Sequence, residues 1–529
     1  MGSYFRRQLL VGLDAMEWSL VKRWATQGKL PTIQRLLKEG THGELKTTSA
    51  QLPDTVWASI CTGTNPAKFE KYFYVQYDPC TGKLRNVPDD AIHGVPFWEY
   101  LSESGKRVCI VDVPKFPLGR HINGLQLTNW GAHATKTRRA SFPETLLAEI
   151  NRSLGHHPVG DCDAVDERPE ALHGLRRRTL DGVRLHGELF RWLMTREPWD
   201  IFFAGFSASH CAGHHFWHYM DPEHPRHNIV DPHKLNDTIE IIYRALDEEI
   251  AKMLMQAGNE IQCLIISGHG MGPLYHASWN LNEILDLLGY GQDSNRAVAP
   301  RTSRQAKANP WRLLKMILPG KVQYALKGIL PRHLQDELIF RWYAGTLNLE
   351  NRRAFAVPNN DSVGAIRINV VGRDKHGVVK PGDEYQRVCH DIAQAMYEMI
   401  DPKSGRAVVK LVTFAHQEFH GPFVNQLPDL TVLWDQSFPW DSIQSPRLGT
   451  LHLPRQDARS GSHSPHGFFL MHGQGVPAGL AIQGHSIYDI APTILQLTGI
   501  PIPSHMDGKA INPLSLPADT PWRKVSDLT

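Results

Sequence analysis

Short, unbroken apolar runs alternate along this chain with longer stretches whose apolar residues recur at helical spacing. Leu9 to Leu13 is the first such run and reads as a buried strand. Ser19 to Glu39 follows with helical periodicity and stops at Gly40, which predicts one helix over that span. Gly43 to Thr48 predicts a second strand, leading through a loop to a helix that starts near Thr55. Val108 to Val113 and Leu125 to Asn129 read as strands, Pro143 to Ser153 and Leu172 to Thr195 as helices. Trp199 to Phe206 is a buried strand that runs directly into a histidine-rich stretch. Leu235 to Gln256 reads as a helix, and Gln262 to Ser267 as a strand ending in a glycine-rich turn. This β-α-β-α rhythm predicts an α/β fold: a mostly parallel central sheet flanked by helices on both faces.

The middle of the chain breaks the rhythm. Residues 290–350 are rich in Arg, Lys and Pro and read as an insertion or cap. Its Arg301, Arg304, Lys307 and Arg312 are read as solvated surface in preference to a phosphate-binding patch. Beyond it come a strand at Ala365 to Val371, a helix at Asp383 to Ile400, strands at Leu430 to Trp434 and Gly467 to Leu470, and a helix at Ser486 to Leu497. The expected organisation is a catalytic α/β domain in two pieces, 1–289 and 364–529, interrupted by an insertion at 290–363.

Composition narrows the function classes. Hydrophobic residues at 41% and charged residues at 21% describe a globular chain and not a disordered one. A formal net charge of +3 over 529 residues gives no footprint for nucleic acid or an acidic membrane. The seven cysteines are scattered, with no C-x-x-C pair, which argues against a disulfide framework and predicts a reducing compartment. The apolar run after Arg6 and Arg7 is too short for a signal-peptide core, and no stretch reaches the ~18 apolar residues of a membrane span. A cytoplasmic protein acting on a small molecule is therefore expected, without a nucleic-acid or membrane partner.

In open α/β sheets, ligand-binding side chains collect at the carboxyl ends of the strands. Asp14 stands directly after the first strand, placed for a metal or, more plainly, for capping the next helix. His210 and His214 are four residues apart, so on a helix they share a face and can chelate one ion. His215, His218 and His224 extend the same stretch. His269 lies between glycines in Ser267-Gly268-His269-Gly270, a turn that can present an imidazole. His463 and His466 precede the strand at Gly467. Thr55, beside Asp54, sits at a loop-to-helix junction, where a hydroxyl meets helix-terminal N–H groups and a nearby metal lowers its pKa. Asp and Thr are also ordinary helix caps there.

The order of these motifs resembles the alkaline phosphatase superfamily, and within it the type I phosphodiesterase/nucleotide pyrophosphatase branch. The resemblance covers nearly the whole chain. It is carried by V-G-L-D-A-M-E-W (Val11 to Trp18), G-K-L-P-T-I-Q-R-L-L-K-E-G (Gly28 to Gly40), T-V-W-A-S-I-C-T-G-T-N-P (Thr55 to Pro66), H-F-W-H-Y-M-D-P-E-H-P (His215 to Pro225) and S-G-H-G-M-G-P (Ser267 to Pro273). G-A-I-R-I-N-V-V-G-R (Gly364 to Arg373), P-D-L (Pro428 to Leu430), G-S-H-S-P-H-G-F (Gly461 to Phe468) and S-I-Y-D-I-A-P-T-I-L (Ser486 to Leu495) continue it. The resemblance implies two zinc ions, with manganese or another divalent metal as the alternative, and a Thr or Ser nucleophile bridging towards them. It matches Asp14 to the first carboxylate ligand, His214 to the histidine of D-x-x-x-H, His269 to that of S-D-H-G, and His463 to the last histidine.

Three positions depart from the pattern. His210 stands where D-x-x-x-H has its aspartate, and Gly268 where S-D-H-G has its aspartate. Strict spacing puts the nucleophile on Pro53, so Thr55 qualifies only through a two-residue shortening. The expected metal set is thus Asp14, Thr55, His210, His214, His269 and His463. Asp54 is expected to replace the missing carboxylate, and Asn129 to hold the oxyanion. The expected reaction is in-line hydrolysis of a small phosphate ester through a phospho-threonine. A phosphomonoesterase or phosphonate hydrolase is the near alternative, and a non-catalytic metal- or partner-binding relative the distant one. A sulfatase is disfavoured because neither Cys61 nor Cys80 has the P-x-R context.

Overall fold

The strand Gln8–Leu13 is buried along its whole length, and its side chains divide between two cores. Leu9, Val11 and Leu13 point into one apolar cluster with the helix Thr238–Ala257, while Leu10 points into another with Val56, Trp57 and Ile60. Alternation along a strand produces this division, and it explains why the run is apolar throughout. Each fully buried aliphatic side chain contributes about 1.5–3 kcal/mol.

The computed structural model describes residues 7–512 apart from 93, 132–136, 161–167, 276–280, 292–348, 350, 361 and 454–458. Most of the expected insertion, including Arg301, Arg304, Lys307 and Arg312, lies outside the described residues. Nine strands form the central sheet, in the order Leu480–Ser486, Thr41–Lys46, Gly467–His472, Gln262–Ser267, Gln8–Leu13, Ile201–Phe206, Val108–Val111, Gly124–Thr128, Ala140–Phe142. The middle is parallel: Gln8–Leu13 pairs with Ile201–Phe206 on one side and Gln262–Ser267 on the other. Gly467–His472 runs antiparallel between Gln262–Ser267 and Thr41–Lys46. A separate antiparallel sheet of Ala354–Ala356, Val363–Ile368, Leu430–Trp434 and Val409–Phe414 carries its own core. The α/β architecture expected from the apolar rhythm is present.

Several boundaries differ from the sequence reading for identifiable reasons. The single helix expected over Ser19 to Glu39 is two helices, Trp18–Thr26 and Pro31–Glu39. Gly28 takes a positive φ of 73°, and Pro31 starts the second helix while pushing Leu30 out of the helical region. The second strand is Thr41–Lys46, shifted back because Thr47 caps a 3-10 turn by accepting from Ser49 N. Trp199 and Asp200 precede the strand, which starts at Ile201. The edge strand Leu480–Ser486 and the strand Gly461–Ser464 were not expected, since neither carries an apolar run. Among the described residues, no helix is long and apolar enough to cross a membrane, and no disulfide forms.

Candidate metal centre

Three adjacent parallel strands, Gln8–Leu13, Ile201–Phe206 and Gln262–Ser267, end on the same edge of the sheet, and the candidate ligands follow them directly. Asp14 leaves the first strand with its N–H donating to Phe206 O at 2.9 Å. The second strand turns into the helix Ala208–Met220, whose first two turns carry His210 and His214. The third ends at Ser267, ahead of His269, and the chain then forms Gly270–Pro273. That short strand pairs antiparallel with Gly461–Ser464, with Met271 opposite His463. Side chains lock these ends together. Ser267 Oγ donates to Leu13 O at 2.7 Å and accepts from Met16 N, while Ser209 Oγ donates to Asp14 O at 2.6 Å.

The structure brings His210, His214 and His463 together: one donor atom from each lies within 4.8 Å of the others, and all three rings are buried. His214 Nδ1 lies 2.7 Å from Gly461 O. A carbonyl only accepts, so the ring proton is on Nδ1 and the Nε2 lone pair is available for a metal, with its direction fixed by the backbone. His463 Nε2 and His210 Nε2 are 2.8 Å apart. Two neutral imidazole nitrogens at that distance share one proton, which would have to move to its ring's Nδ1 before both Nε2 atoms could hold a cation. Burial holds His463 well below the usual histidine pKa, helped by His269, His214, Lys115 and Arg459. Neutral rings are the metal-binding form, and three imidazoles are a donor set suited to zinc. These residues fit an ion.

Asp14 and His269 form a second, smaller group. His269 Nε2 stands 3.6 Å from Asp14 Oδ1, and His269 Nδ1 donates to Gly270 O at 3.1 Å. Burial lowers the His269 pKa, against the opposing pull of Asp14. Asp14 Oδ1 also accepts from Trp57 Nε1 at 2.7 Å. The indole reaches it by lying over Gly12, where a Cβ would come within 2.8 Å of Trp57 Cη2.

The remaining expected site residues are placed as follows. Thr55 is buried in the turn Pro53–Thr55, its Oγ1 donating to Leu52 O at 2.7 Å and lying 3.0 Å from Thr48 Oγ1. Asp54 Oδ1 is 2.6 Å from Lys115 Nζ. Asn129 Nδ2 donates to Thr137 O at 2.6 Å. Of the histidine stretch, His215, His218 and His224 are buried, with His224 beside Tyr275, outside the three-ring group. His466 is exposed one turn past the strand that buries His463. Three neighbours of the site escaped sequence reasoning. Asn360 Nδ2 lies 3.4 Å from His463 Nδ1. Lys115 follows its strand with a φ of 56°. Buried Glu17 accepts from Met271 N at 3.2 Å and Ser464 Oγ at 2.8 Å, tying the His269 and His463 strands to the first helix. Only Glu17 had a sequence signal, as an acid just before a helix.

With this geometry in view, the comparisons with known proteins agree. The model of the type I phosphodiesterase/nucleotide pyrophosphatase family matches residues 8–437. The chain belongs to that family. Membership makes it a hydrolase of phosphate esters from a metal-dependent family and speaks against the non-catalytic alternative. Among solved structures, phosphonoacetate hydrolase from Sinorhizobium meliloti 1021, in complex with phosphonoformate, matches at 13% identity and a TM-score of 0.51, covering 92% of this chain and 95% of its own. Murine ectonucleotide pyrophosphatase/phosphodiesterase 5 matches at 13% identity and a TM-score of 0.47, covering 94% and 97%. The fold is thus shared with that phosphonoacetate hydrolase. No curated protein matches the sequence.

Proposed function

We propose that this family member hydrolyses a small phosphate diester, with zinc held by His210, His214 and His463. The single observation carrying this reading is the buried three-imidazole group at the carboxyl edge of the sheet. A zinc ion there supplies positive charge for phosphoryl oxygens and Lewis acidity for the attack. The chain's own contribution is orientation. Gly461 O fixes the His214 tautomer, and Asp54 holds Lys115 where its ammonium can meet an anionic phosphate.

In the first form of the reading, Thr55 Oγ attacks phosphorus, one alcohol leaves with the hydroxyl proton, and water hydrolyses the resulting Thr55 phosphodiester to release the monoester. The hydroxyl now donates to Leu52 O, so it must rotate before attack. That same hydrogen bond favours a second form, in which water attacks phosphorus directly and Thr55 only shapes the turn. Turnover of bis-p-nitrophenyl phosphate, quenched in acid and analysed by mass spectrometry, separates the two. A p-nitrophenylphosphoryl group on Thr55 supports the first, and an unmodified Thr55 during steady turnover supports the second. A clear preference for p-nitrophenyl phosphate over the diester would overturn the diesterase assignment and favour a monoesterase.

A further inference from the structure

We infer that this chain holds one divalent ion, on His210, His214 and His463, and that the second ion position implied by its motif order is closed by the protein itself. The inference rests on the metal-dependent reading above and concerns how many ions that site takes. The second position would draw on Asp14, a hydroxyl at 53, a carboxylate at 268 and His269. Residue 53 is a proline, which offers no ligand atom from its ring.

Gly268 is not an empty place waiting for a substitute carboxylate. A Cβ there would overlap Val56 Cγ1 and lie 2.6 Å from Ile60 Cδ1, so apolar packing from the helix Val56–Thr62 fills the direction a ligand would take. Val56 and Ile60 belong to the same core cluster as Leu10, which makes this packing part of the fold. Asp14 Oδ1 already accepts the Trp57 indole N–H, and Trp57 comes from that same helix. Asp54, the candidate replacement carboxylate, is paired with Lys115. Asp14 and His269 are left as two donors against the three of the other group.

Metal stoichiometry of the full-length protein tests this directly. The stripped protein is titrated with zinc and, separately, with cobalt(II), following bound metal by elemental analysis after gel filtration and cobalt ligand-field absorption. One ion per chain is expected. Asp14→Asn and His269→Gln should keep that ion and its cobalt spectrum, whereas His463→Ala should lose both. Two ions per chain at saturation, or loss of the ion in Asp14→Asn or His269→Gln, overturns the inference while leaving the metal-dependent reading intact. No bound ion in the unmodified protein overturns both.

Discussion

The two halves of the candidate centre sit on the same sheet edge, yet they are built on different principles. On one side, His210, His214 and His463 converge, with a backbone carbonyl setting the His214 tautomer. On the other, Asp14 faces His269 across 3.6 Å, and an indole N–H and two aliphatic side chains take up the remaining directions. The first is a group of three buried imidazoles whose donor atoms converge. The second is a carboxylate whose negative charge is met by protein donors. The difference teaches that ligand loss in a metal site need not leave a hole. Here Val56 and Ile60 of the helix Val56–Thr62 pack where a side chain at residue 268 would go, and Trp57 of the same helix donates to Asp14.

The strongest way to break this comparison is to damage each half and see whether the effects are equal. His214→Ala removes a ligand whose tautomer is already fixed. It should strip the ion and lower kcat/KM on bis-p-nitrophenyl phosphate by roughly 10³-fold or more, since a bound metal supplies several kcal/mol to such a transition state. Retention of metal and activity in His214→Ala would mean that the three rings are not the working site.

Gly268→Asp probes the other half. If the second position were merely lacking a ligand, this change would restore it. Because Val56 and Ile60 occupy the space, it should instead cost about 1–3 kcal/mol of overpacking, before the further cost of burying a carboxylate. Thermal denaturation should show a lowered Tm, and metal analysis should show no added ion. A variant of unchanged Tm carrying one more ion per chain would show the second position to be open.

How much of this was legible beforehand follows the same line. The parallel core strands were readable because burial on both faces leaves an apolar run, as in Ile201–Phe206 with all six residues buried. His210 and His214 were readable because helical spacing puts them on one face. His463 could be chosen over His466 only from motif order, since Gly461–Ser464 has no apolar pattern and is a strand only because it pairs with Gly270–Pro273. The filling of the second position was not readable at all. Gly268 announces a missing carboxylate, but which side chains enter its space depends on a helix two hundred residues away in sequence. Lys115 was overlooked for the same reason, because its partner Asp54 is brought to it only by the fold.

The smallest expected effect concerns pH, and it sharpens the comparison most. His463 and His269 both have pKa values lowered by burial, but only His269 has carboxylates, Asp14 first and then Asp54, pulling the other way. When the folded pKa of a histidine lies below its unfolded value of about 6.5, the unfolded chain binds more protons between the two values. Stability contributed by keeping that ring neutral is therefore complete above pH ~6.5 and is lost as pH falls towards the folded pKa. The metal-stripped protein should then show a Tm that declines as pH is lowered from 7 towards 5. His463→Gln should flatten this slope more than His269→Gln, because the His463 ring is held further from protonation and the Asp14 charge partly stabilises a protonated His269. Equal flattening by the two variants would mean that Asp14 does not distinguish the two halves electrostatically, and that their difference rests on packing alone.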